Sequence, residues 1–369
     1  MIYTSSRYNL LQSFTSEVDL LEELFFYTQN NFFQNKSPFR FKKLKDEPQV
    51  AYWERYIEES KNHGVYQTLK KYLVQFQFPI KENISQTDDY KKATLKGNST
   101  AFIQDATGLF LTEPDKLRLF LHPSLAGKIP VIIANNRFDF QAIVRALTYR
   151  NEPKPMPSSM GAAMIQGLNN WDRLRKETQT SSFQSVVANR ALYQDRIIIL
   201  SRIPYSNVGA EDMNLEQEDW LDRSLNIRLE HECAHYFTLR QFGKMSNNMH
   251  DEIIADFMGI CSVLPEFSAK WFLKFIGLGD YPRFKKSGRM KNYLGDPPLS
   301  DAAFKILQTI VKQAADNIER FDKNIGQSIN GKDRKFKLVA LCLFNLTELA
   351  SEDGVKLLSE AYYNLQENV

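Results

Sequence analysis

His231-Glu232-Cys233-Ala234-His235, followed by Asp251-Glu252-Ile253-Ile254-Ala255-Asp256, decides how the rest of the chain is read. Residues four apart on an α-helix share a face, so His231 and His235 can offer two imidazole nitrogens to one tetrahedral metal ion while Glu232 projects beside them. That geometry requires a helix, and residues 215–240 contain no Pro or Gly and read as one. The chain has five His, at 63, 122, 231, 235 and 250. With so few, chance would place Glu at +1 and His at +4 of one of them only about 0.004 times in a composition like this.

Composition bounds what surrounds the motif. At 369 residues and 43% hydrophobic, the chain can bury a substantial core in two or so domains. Its 47 basic and 44 acidic residues are well mixed and leave a formal net charge of +3, so no strong field points to nucleic acid or an anionic membrane. The basic runs Arg40-Phe41-Lys42-Lys43 and Arg283-Phe284-Lys285-Lys286 are short and read as solvated faces or loops. Three scattered cysteines (233, 261, 342) suit free thiols in a reducing compartment rather than a disulfide framework or a Cys-based metal site. No run approaches 18 apolar residues, and the N-terminus lacks a basic segment followed by an apolar one. A cytoplasmic protein that neither spans a membrane nor binds nucleic acid is expected.

Outward from the motif, helical periodicity covers residues 18–30, 51–60 and 64–76, with aromatic residues on one stripe that suits core packing. Residues 86–99 turn polar and read as a joint, with strands expected at 101–104, 117–121, 129–134 and 196–201. His63 beside Gly64 reads as a helix end, and His122 before Pro123 as a turn residue. Residues 138–149 look helical. The small-residue stretch at 158–163 and the Gly-Leu-Asn-Asn-Trp-Asp run at 167–172 read as a close-packed connection, with close approach to a ligand as the alternative. No GxGxxG or P-loop pattern occurs. After the motif, Gly243 marks a stop and Asn247 or Asn248 can cap a helix running to 263. Further helices are expected at 271–276, 301–324, 336–350 and 355–364. The fold expected is α+β and helix-rich, with a helical region over 1–95, a metallohydrolase core over 96–298 and a C-terminal helical region over 299–369.

Two His leave a catalytic metal short of one protein ligand. Glu252 is the first choice, because the chain between it and His235 is long enough for the helix to end, turn and return antiparallel. Asp256, four residues on, can accept the second ring N–H of a ligand His and so fix its tautomer. His250 and Asp251 compete for the third position. Tyr293, Arg289, Tyr281 and Tyr205 are of the right type to donate a hydrogen bond to a developing oxyanion, Tyr293 and Arg289 foremost. Strand 196–201 offers an edge to which an extended peptide could add, unless it is an interior strand.

Taken together, His231, Glu232, His235, Glu252 and Asp256 resemble the motif set of the gluzincin, thermolysin-like branch of zinc metallopeptidases. The resemblance spans residues 231–256, with a spacer somewhat shorter than in thermolysin. It implies a zincin-like catalytic core, one zinc ion per chain held by His231, His235 and Glu252, Glu232 as general base, and a peptide or protein substrate. Manganese, cobalt or iron could stand in place of zinc. Two other classes fit the same residues: a zinc-binding regulatory or interaction module without peptidase activity, and a helical interaction protein whose aromatic N-terminal region does the binding.

Overall fold

The run Arg196-Ile197-Ile198-Ile199-Leu200-Ser201 forms most of a strand, Gln194–Ser201, in which Ile197 to Leu200 are fully buried. The structure is a computed structural model describing residues 2–33, 39–246, 248–327 and 331–367, with side chains from residue 7 onward. It is helix-rich with one small mixed sheet, the α+β class expected. Its strands are β1 (Arg118–Ser124), β2 (Gly127–Ala134), β3 (Ala162–Asn169) and β4 (Gln194–Ser201), in the order β1-β2-β4-β3. β1 and β2 form an antiparallel hairpin, β2 and β4 run parallel with Val131 opposite Ile198, and β3 is antiparallel to β4 with Ala163 opposite Ile199. β4 is therefore interior, the second of the two readings of 196–201, and offers no edge to a peptide; the edges are β1 and β3. Neighbouring side chains on β2 and β4 are buried on both faces, which is why these strands read as unbroken apolar runs.

Packing divides the chain into two units, each built from separate stretches. One comprises 44–204 and 217–232, the other 1–43, 205–216 and 233–369, and the division falls inside a single helix, Gln217–Phe242. The first holds the sheet. Its core joins Ile132, Ile197 and Ile199 to Trp53, Tyr56, Phe76, Phe140 and Ile143 from flanking helices. A buried polar cluster accompanies it: the Asp195 carboxylate pairs with Arg173 and accepts from the Trp53 indole at 2.9 Å and the Asn170 amide at 2.8 Å. The second unit is helical. Its longest helix, Asp301–Ile325, turns Leu307, Ile310, Val311, Ala314, Ile318 and Phe321 inward at three- and four-residue intervals. Lys337 and Asp322 form an ion pair of 2.7 Å with both side chains nearly inaccessible.

Several expectations are corrected. Residues 101–104 are turns, not a strand, and Phe102 is fully exposed. The polar joint at 86–99 contains a helix, Asp88–Lys96, capped by the Thr87 side chain, with two Asp in its first turn and Gly97 in the left-handed conformation (φ 69°) at its end. The stretch 158–172 includes β3. His122 lies in β1, where its Nε2 is 3.0 Å from Glu230 Oε1. The helix expected over 336–350 is two, Gly331–Leu343 and Leu346–Ala350, because Asn345 accepts from the Thr347 and Glu348 amides and starts a new one. No helix among the described residues is long and apolar enough to cross a membrane.

Candidate metal centre

The motif lies on Gln217–Phe242, which has Glu218 and Asp219 in its first turn and stops at Gly243 (φ 79°). Arg228, three residues before His231, donates to the carbonyls of Ser201, Ile203 and Pro204 at 3.2, 2.5 and 2.6 Å, tying this part of the helix to the end of β4. Gly161 gives Arg228 room: a Cβ there would lie 2.6 Å from the Arg228 Nε. The small residues at 158–163 thus accommodate a packed arginine at this point. After Gly243 the chain returns through Met249–Ile260, every residue of which is buried. Asn248 is its cap, accepting from the Asp251 amide at 3.0 Å, while Asn247 lies outside the described residues.

His231, His235 and Glu252 are buried, at 6%, 6% and 5% exposure, and one ligand atom from each lies within 4.8 Å of the others. His235 Nε2 is 3.6 Å from Glu252 Oε1. Two ligand atoms of a tetrahedral zinc site stand about 3.4 Å apart for bonds of about 2.0–2.1 Å, so this pair is close to ligating separation. The three residues could therefore hold a metal ion. Glu232 is half-buried on the adjoining helix position, and Cys233 is a buried packing residue.

The second nitrogen of His235 goes to Asp251, with Nδ1 3.2 Å from Asp251 Oδ1; Asp251 Oδ2 in turn accepts from the Ser246 amide at 2.5 Å. The outer-carboxylate role assigned to Asp256 is thus filled at His235 by Asp251. Asp256 instead accepts from Tyr205 at 2.5 Å and pairs with Arg289. Burial alone would lower the His235 pKa, but the Asp251 and Glu252 carboxylates raise it well above the ordinary imidazole value. An Asp251→Asn variant is expected to weaken metal binding about 10–100-fold, since outer partners orient their ligands; a chelator-competition titration measures this, and unchanged affinity would remove Asp251 from the site.

Of the four residues considered as oxyanion donors, three lie beside this group. Tyr293 hydrogen-bonds Glu252, and burial together with that carboxylate raises its pKa well above the ordinary phenol value. Arg289 Nη1 is 3.8 Å from Glu252 Oε2 and donates to the Tyr205 hydroxyl at 2.9 Å. Tyr281 is elsewhere, with its hydroxyl 2.9 Å from Thr309 Oγ1. His250 is not in the group: it is buried against Phe32, and its Nε2 is 3.3 Å from the Leu341 carbonyl. His63 ends the helix Val50–His63. Sequence reasoning missed Tyr27, whose hydroxyl donates to the Tyr293 carbonyl at 2.6 Å and accepts from the Met249 amide at 3.0 Å. Nothing in the aromatic run around it singles it out.

No curated protein and no solved structure matches this chain. The profile of a family of unknown function, DUF7005, matches residues 9–353, and the chain belongs to that family.

Proposed function

We propose that the chain is a zinc-dependent hydrolase, a metallopeptidase with a zincin-like core that acts on a peptide or protein substrate in the cytoplasm. The observation that carries this reading is the convergence of two His one helical turn apart with a buried Glu from the next helix, alongside a half-buried Glu232. His231, His235 and Glu252 would hold the ion, which when bound supplies Lewis acidity and a lowered pKa for water. Asp251 keeps the Nδ1–H tautomer of His235, leaving Nε2 facing Glu252 Oε1. Glu232 takes the proton of the attacking water and delivers it to the leaving amine. The Tyr293 hydroxyl, which hydrogen-bonds Glu252, would turn from that carboxylate to donate to the developing oxyanion. The three free cysteines fit a reducing compartment.

The depth of burial of all three ligands favours a second reading, a zinc-binding regulatory or interaction module without peptidase activity. A peptide-library cleavage assay separates the two. Cleavage that a chelator abolishes and added zinc restores supports the hydrolase; a zinc-loaded protein inert across the library leaves the module.

A further inference from the structure

Arg289 opens a short 3₁₀ turn, Arg289–Asn292, and its side chain is 8% exposed. Its fork is committed to three groups. Nη2 donates to Asp256 Oδ2, Nη1 donates to the Tyr205 hydroxyl at 2.9 Å, and Nη1 also lies 3.8 Å from Glu252 Oε2. Tyr205 closes the arrangement by donating to Asp256 Oδ1 at 2.5 Å. Asp256 is fully buried one turn after Glu252 on the same helix, so the two carboxylates stand one above the other. Glu252 therefore has two differently directed oxygens: Oε2 toward Arg289, and Oε1 at 3.6 Å from His235 Nε2.

We infer that Arg289, braced by Tyr205 and Asp256, is a positioning residue: its charge, 3.8 Å from Oε2, draws that oxygen of Glu252 by an ion pair so that Oε1 stays directed at His235, and it does not bind the substrate's developing charge. The inference rests on the reading of His231, His235 and Glu252 as metal ligands. It reassigns Arg289 from oxyanion donor to a support beneath a ligand and leaves Tyr293 as the donor. The choice of arginine follows from the geometry, because a planar fork can serve Asp256, Tyr205 and Glu252 together whereas a lysine ammonium offers no fixed fork. Asp256 offsets the guanidinium charge, so the support adds little net repulsion toward a bound cation.

The test uses Co²⁺ as the probe on full-length wild type, Arg289→Lys and Tyr205→Phe, recording affinity by chelator competition, the visible absorption of the bound ion and the thermal midpoint. Both variants keep the charge of the site, which isolates geometry. Arg289→Lys is expected to weaken Co²⁺ binding about 10–100-fold, with an altered visible band. Tyr205→Phe is expected to shift both in the same direction by less, and it decides the matter should Arg289→Lys not fold. Wild-type affinity and spectrum in the folded variants would overturn the inference, and a loss of hydrolysis alone would return Arg289 to the substrate. A folded wild type that takes up no Co²⁺ would instead overturn the underlying metal-site reading.

Discussion

Glu232→Gln is expected to lower peptide hydrolysis about 10²–10⁴-fold while leaving metal content unchanged. The amide matches the carboxylate in size but cannot accept and return a proton at neutral pH. Glu232 is not one of the three groups whose ligand atoms converge, so its replacement leaves the ligands in place. The measurement pairs initial cleavage rates with zinc analysis of the same preparation. Full activity in a zinc-loaded variant would contradict the assignment of Glu232 as general base, and loss of both zinc and activity would place it among the ligands.

Arg173→Met is expected to destabilise the unit containing the sheet by about 3–5 kcal/mol, because it leaves a buried carboxylate without its counter-charge. Arg173 and Asp195 are both fully buried as an ion pair, and burial pushes the Asp195 pKa up despite Arg173 beside it. Trp53 and Asn170 still donate to Asp195 in the variant, but neither carries charge. Adding Asp195→Asn should recover part of the loss, since the cost lies in the uncompensated charge and not in packing. Denaturant unfolding followed by Trp fluorescence measures both steps. A loss below about 1 kcal/mol, the scale of an exposed pair, would show that Asp195 finds other compensation.

The parts legible in the sequence are those where one local rule dominates. The His pair could be read because helical spacing alone puts residues 231 and 235 on one face, and β2 and β4 because burial on both faces leaves them uniformly apolar. β3 was hidden for the opposite reason. It is an edge strand with Gln166 and Gly167 exposed, two alanines at its start and a register shift at Gly167 (φ 77°), so neither alternation nor β-branched enrichment marks it. The helix at 88–96 carried its own signals in Thr87, Asp88, Asp89 and Gly97, but its polar composition resembles a linker. At the candidate metal centre, four-residue spacing from Glu252 points to Asp256 as the outer acid. Capping by Asn248 instead leaves Asp251 at the start of the helix facing His235. The partners Tyr27, Tyr205 and Arg289 lie far from the motif in sequence, and only the fold brings them to it.

The most direct test of the proposed metal centre is zinc content per chain in protein purified without chelator, compared with His231→Ala, His235→Ala and Glu252→Gln. About one zinc per wild-type chain, lost or strongly reduced in each folded variant, is the expected result. A folded wild type that holds no metal after zinc is supplied would contradict it.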